Sequence, residues 1–239
     1  MAVENGNEPW EGVFRAILAW LSQEATDYAG ARRQAGDLLK RYTEEPPGQV
    51  RTMALLTTNF ADLQSGHASR TIKGFLQIRD RTPYPKFFLQ WYWKMIAQLG
   101  LATAHYEVGD LANARAEAGR FLTEALLTSD PALKARAWDL QARIALTAGE
   151  AARAKECVES ALAALKPSDP PPAVWRVHWT AAAVCQKSGD PGGADFHQTF
   201  ARSILRKLAE SVDAADPLRH ALLETSERRL PEPIRVRGA

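Results

Sequence analysis

Gly109-Asp110-Leu111-Ala112-Asn113-Ala114, Gly149-Glu150-Ala151-Ala152-Arg153-Ala154 and Gly189-Asp190-Pro191-Gly192-Gly193-Ala194 decide the fold of this chain. The three hexapeptides share one form, a glycine, an acid, three variable residues and an alanine, and they begin 40 residues apart. Self-similarity at such a period marks an array of stacked supersecondary units. Gly66, in Gln64-Ser65-Gly66-His67, lies 43 residues before Gly109, and Thr26, in Thr26-Asp27-Tyr28-Ala29-Gly30-Ala31, lies 40 residues before Gly66. Thr26 stands where the other turns have glycine, and five units cover nearly the whole chain.

The residues around each turn repeat with helical periodicity. Seven residues before the turn stand Ala19, Ala102, Ala142 and Ala182, and five after it Ala31, Ala114, Ala154 and Ala194. Two helices joined by a short turn approach closely only where side chains are small, so paired alanines mark the crossing points. The second unit has Asn59 and Thr71 there instead. Leu18, Leu101, Phe121, Trp138 and Leu162 flank the crossings as core residues. Prolines fall between units at Pro46-Pro47, Pro83, Pro85, Pro131, Pro170-Pro171-Pro172 and Pro217, as expected where helices begin. The spacing predicts helix pairs over 9–42, 47–79, 86–127, 131–165 and 172–211, and a capping helix over 216–229. Residues 1–8 and 231–239 read as tails flanking one helical-repeat domain over 9–230.

Composition agrees with a globular chain. Of 239 residues, 46% are hydrophobic, and 30 Lys plus Arg face 28 Asp plus Glu for a net charge of +2. So small a charge, without clustering, argues against a nucleic-acid partner. No apolar run reaches the roughly 18 residues of a membrane span. Cys157 and Cys185 read as small hydrophobes in a reducing compartment, so a cytoplasmic location without membrane contact is expected.

On these residues the chain resembles the tetratricopeptide-repeat (TPR) family. Trp138-x2-Gln141-Ala142 matches the opening of its motif, Asp27-Tyr28-x2-Ala31 and Gly109-Asp110-x3-Ala114 match its turn and second helix, and the prolines match its close. The family's tyrosine is replaced by Ser22, His105, Ala145 and Cys185, and its second-helix phenylalanine by Ala35, Ala118, Val158 and Gln198. The resemblance implies an all-α, right-handed superhelical α-solenoid of about five helix pairs. Its 40-residue period and runs such as Ala114-Arg115-Ala116 also look like the repeat sensor regions of large bacterial regulators built on nucleotide-switch ATPases.

Signatures of phosphate-binding loops, dinucleotide sites, zinc proteases, serine hydrolases and paired-cysteine metal sites are missing from the sequence. No enzymatic activity, cofactor or metal is therefore expected. His178 and Cys185, seven residues apart, share a helix face, but a structural metal site needs four ligands. Phe87-Phe88-Leu89-Gln90-Trp91-Tyr92-Trp93 is apolar around the whole helix and reads first as a buried central helix, second as an exposed interaction patch.

The resemblance further implies that first helices line a concave groove, with residues at fixed distances before each turn facing into it. Those positions give Trp20, Phe60, Tyr106, Arg136, Asp139, Arg143, Arg176, Trp179 and Gln186 as candidate partner-binding residues. Arg136, Arg143 and Arg176 form a basic ladder beside Tyr106 and Trp179, suited to a protein or peptide segment with acidic character. As exposed positions, the three arginines are expected to be removable without loss of fold. The competing reading is a solvated face with local pairs such as Arg136 or Arg143 with Asp139. The expected function is a non-enzymatic protein–protein interaction scaffold or adaptor. The alternative is a ligand-sensing regulatory module coupled to an ATPase, kinase or transcription regulator.

Overall fold

The computed structural model describes residues 8–43, 48–81, 89–166 and 171–228, and among them every regular element is a helix. Eleven run in order: α1 (Glu8–Glu24), α2 (Tyr28–Arg41), α3 (Gln49–Gln64), α4 (Ala68–Arg81), α5 (Gln90–Glu107), α6 (Leu111–Leu127), α7 (Pro131–Thr147), α8 (Ala151–Ala164), α9 (Pro171–Lys187), α10 (Pro191–Glu210) and α11 (Pro217–Glu227). Their bounds fall within two residues of the expected ones except at the start of α5, where Phe87 and Phe88 lie outside the described residues. Residues 1–7 of the expected tail 1–8, the expected tail 231–239, Pro46, Pro47, Pro83, Pro85 and Pro170 also lie outside them, whereas Glu8 opens α1.

The repeating hexapeptides form one turn, built five times. The turn residue has a left-handed backbone in every case, φ +83° at Gly66, +80° at Gly109, +81° at Gly149, +75° at Gly189 and +68° at Thr26. Its N–H reaches back to the third preceding carbonyl, as Gly109 does to Tyr106 at 3.0 Å. The next N–H reaches the fifth: Asp27 to Ser22, His67 to Asp62, Asp110 to His105, Glu150 to Ala145 and Asp190 to Cys185, all at 2.9–3.0 Å. That pair of bonds satisfies the carbonyls a helix end leaves over. The same residue then opens the following helix. Asp27, Asp110 and Asp190 accept at their carboxylates from the backbone N–H of Gly30, Asn113 and Gly193, whereas Glu150 caps without its side chain. An acid after the glycine thus closes one helix and caps the next, which is why the two recur together.

The crossings follow the alanines. Ala19, Ala31, Ala102, Ala114, Ala142, Ala154 and Ala182 are fully buried, and Ala194 nearly so. At the second turn the close approach falls elsewhere, because a Cβ on Gly74 would lie 2.4 Å from Oδ1 of Asn59. Glycine eight residues after that turn makes room for asparagine seven before it.

The chain divides into two compact units, Met1–Ala104 and His105–Ala239. In the first, α1 packs on α2 and α3, and α3 on α2 and α4. Its core is aromatic: Trp20 meets Phe60 and Trp93 edge-on with ring centroids 5.4 and 5.7 Å apart, and Phe60 meets Phe75 at 5.0 Å. Phe75 in turn fills the space over Gly100, where a Cβ would lie 2.3 Å from the ring. Asp62 on α3 is bridged to Arg32 on α2 at 2.6 Å and to Arg70 on α4 at 3.1 Å.

In the second unit each helix from α6 to α11 packs on its neighbour in sequence, and α7 also packs on α9. The core here is small-residue: Ala142, Ala145, Leu146, Ala154, Cys157, Val158, Ala181 and Val184 form one buried cluster, with Trp138 and Leu162 against it. At the end, α11 lies on α10. Leu222 is buried there, Arg202 Nε donates to the Ser226 carbonyl at 3.1 Å, and Arg206 pairs with Glu227 at 2.9 Å. One expected core residue is a correction: Leu18 stands largely exposed on α1. No helix among the described residues is long and apolar enough to cross a membrane.

Candidate functional site

The candidate residues separate by unit. Trp20 and Phe60, expected to face a groove, belong to the aromatic core of the first unit and are 5% and 4% exposed. They pack there because an edge-to-face cluster fills the space that alanines fill elsewhere. Tyr106 is likewise 6% exposed. Its hydroxyl is hydrogen-bonded to the hydroxyl of Thr147 at 3.0 Å, and the guanidinium of Arg143 lies 4.7 Å above its ring. Trp179 is half-buried and Gln186 exposed, both on α9.

The remaining candidates gather around one carboxylate. Asp139, at the middle of α7, lies in the field of Arg143 and Arg136 from its own helix and of Arg176 from α9, and is hydrogen-bonded to the Thr180 side chain. Burial pushes its carboxyl above the usual range, against the pull of Arg143, the Thr180 bond, Arg176 and Arg136. Its Oδ1 has no hydrogen-bond partner among the described residues. The arginines also have partners of their own. Arg143 donates to Glu107 Oε1 at 2.9 Å, and Arg176 donates to the Pro172 carbonyl at 2.7 Å with its guanidinium 4.5 Å above the Trp175 ring.

The ladder is therefore a group of guanidiniums, two of them held by stacking and pairing, around a half-buried carboxyl. Removing all three arginines takes away the cations that favour the Asp139 carboxylate and leaves its carboxyl still further above the usual range. Glu107, Thr147 and Thr180 complete the cluster and were not among the expected residues. Glu107 neighbours Tyr106 and Thr180 neighbours Trp179, but only the rotation of α5 and α9 about their axes, set by packing, turns them toward the arginines.

His105 Nδ1 lies 3.2 Å from Asp110 Oδ2, a local bond inside the third turn. The Asp110 carboxyl is held below the usual range mainly by the side-chain and backbone hydrogen bonds of Asn113. His178 meets His197 of α10, Nδ1 to Nδ1 at 3.0 Å, with the Phe200 ring centroid 4.3 Å from its own. Burial, and then His197, lowers the His178 imidazole to about 4. Burial also pushes the Cys157 and Cys185 thiols up, so neither is poised as a nucleophile. Among the described residues no group of three or more His, Cys, Asp or Glu side chains is placed to hold a metal ion.

No family model matches the chain, and no curated protein matches it.

Proposed function

We propose that the chain is a non-enzymatic scaffold, a tetratricopeptide-like right-handed α-solenoid that binds an extended protein segment of acidic character through the Asp139 cluster. The observation that supports this reading is that Arg136, Arg143 and Arg176, all half-buried, share the field of one carboxyl, that of Asp139. Such a group presents planar donors to acidic side chains. The recurrent Gly-acid turns and paired alanines support the repeat reading, since they build five equivalent helix junctions.

A peptide array of varied net charge, probed with the purified full chain, tests the proposal; the best binder is then titrated calorimetrically at two salt concentrations. Acidic peptides should be enriched, with binding that weakens as salt rises. Arg136→Ala combined with Arg176→Ala should weaken it at least tenfold, about 1.4 kcal/mol, while Arg143 stays to compensate Asp139. Asp139→Asn should fold at least as well as the parent at neutral pH, because the native fold favours the uncharged carboxyl. Enrichment without regard to charge, or unchanged affinity in the double variant, would remove the cluster from consideration as the binding site.

A further inference from the structure

From Gly12 to Leu21 helix α1 carries a single polar side chain, Arg15, and a stretch apolar on most sides is normally covered on all of them. Its inner face joins the aromatic core, yet Trp10, Phe14, Leu18 and Leu21 are 52%, 57%, 57% and 53% exposed. These four residues stand sixteen, twelve, eight and five positions before the turn residue Thr26.

The repeat shows what that face is for. The same four positions are Val50, Ala54, Thr58 and Ala61 in α3, Trp93, Ala97, Leu101 and Ala104 in α5, Leu133, Ala137, Gln141 and Ile144 in α7, and Ala173, Val177, Ala181 and Val184 in α9. All are buried except Thr58 and Gln141, which are half-buried. Where the covering groups are known they come from the preceding helix pair. Ala181 and Val184 join the cluster built by α7 and α8, Val177 packs with Ala135 and Ala161, and α3 packs on α1 and α2. The exposed face of α1 is thus a helix-packing face carrying larger side chains than any of its equivalents.

We propose that a second copy of this chain docks on that face, α1 against α1, antiparallel about a two-fold axis. Three observations favour this occupant. Trp10, Phe14, Ile17 and Leu21 are spaced four, three and four residues apart, the seam that packs against another helix. In the antiparallel sense Trp10 lies opposite Leu21 and Phe14 opposite Ile17, so the stripe is complementary to itself, as a two-fold interface requires. The stripe contains no charge, and its exposed neighbour Arg15 is neutralised by Glu11 at 2.7 Å, so two copies meet without like-charge repulsion. The four side chains present roughly 400 Å² of apolar surface, and pairing them buries roughly 800 Å² before the rim is counted. Rim residues bring this to about 1,000 Å², the lower end of specific interfaces, where weak and transient pairs fall.

Sedimentation equilibrium of the full chain across the micromolar range tests the proposal. A monomer–dimer equilibrium is expected, weakened at least tenfold by Phe14→Glu with Leu18→Glu and unchanged by Phe196→Glu, an exposed aromatic on α10. Because these side chains are exposed, circular dichroism and the melting temperature of the monomer should be unaltered, which separates lost docking from lost folding. The direction is read by cross-linking: an equal mixture of Trp10→Cys and Leu21→Cys chains should form a heterodimeric disulfide. Trp10→Cys alone should not, its two copies lying about 16 Å apart along the helices. A monomer at hundreds of micromolar, or a dimer that the Glu variants leave intact, overturns the proposal.

Discussion

The two units use one turn and two kinds of core. Residues 105–239 repeat at a strict 40-residue interval, and their helices meet through alanines that leave no room for anything larger. Residues 1–104 keep the turn but fill the space with Trp20, Phe60, Phe75 and Trp93, place Asn59 against Gly74 at a crossing, and put threonine where the turn wants glycine. The backbone hydrogen bonds of the turn are the same in both, to within about 0.1 Å for the bond that closes each helix. Turn geometry is therefore a local property of a few residues, while the way the core is filled is free to vary between repeats.

The largest test of that difference is at the crossings. Ala142→Arg should cost several kcal/mol, because it overpacks a fully buried position and buries a charge. Asn59→Ala, at the equivalent place in the first unit, should cost only about 1 kcal/mol, since the approach there depends on Gly74. Thermal melts of the two variants compare them directly, and equal losses would mean that both units cross in the same way.

A smaller effect is expected at the turns. Gly149→Thr should destabilise by about 1–3 kcal/mol, the cost of holding a β-branched residue at positive φ. Thr26→Gly relieves that strain in the first unit and loosens the unfolded chain, so its net effect should lie within about 1 kcal/mol of zero. Denaturant titrations resolve both. A large loss in Thr26→Gly would show that the buried Thr26 side chain, rather than its backbone, matters most.

The smallest effect is a response to acid confined to the second unit, which holds the His178–His197 pair, whereas the first contains only the exposed His67. An unfolded histidine takes up its proton near pH 6.5, but folded His178 resists protonation until about pH 4. The unfolded state thus binds more protons in between. The stability this pair contributes is complete above about pH 6.5 and falls as the pH drops toward 4. Hydrogen exchange at pH 6.5 and 4.5 should show weakened protection over α9 and α10, and His178→Phe should abolish the difference. Equal weakening in α1–α4 would assign the acid response to other groups.

The sequence made the helices legible because their signals are local: a glycine or its stand-in, an acid, a proline, and alanines at fixed offsets. It also singled out Asp139 and its three arginines, since a regular repeat carries equivalent positions into register. It did not tell Trp20, Phe60 and Tyr106 from groove residues. Whether an aromatic ring turns inward depends on the volume left by its neighbours, as Gly100 leaves room for Phe75 and Phe75 packs on Phe60, and no spacing rule contains that volume. Leu18 failed for the opposite reason, since its position is buried or half-buried wherever a preceding helix pair covers it, and in α1 it is exposed. Counting along one helix puts His178 and Cys185 on a shared face, but it does not reveal His197, which comes from the next helix.

The residue that closes one helix and caps the next has a consequence for how the chain acquires its shape. Each turn satisfies its hydrogen bonds within a few residues, so it closes without waiting for distant parts of the chain, and arrays held by neighbour contacts are able to begin folding at any repeat. The chain thus holds five such starting points of unequal quality. Those at Gly66, Gly109, Gly149 and Gly189 form without backbone strain, and the one at Thr26 works against it. The first junction is therefore the poorest nucleus, and it relies on rings contributed by α3 and α5 to hold it shut once they arrive.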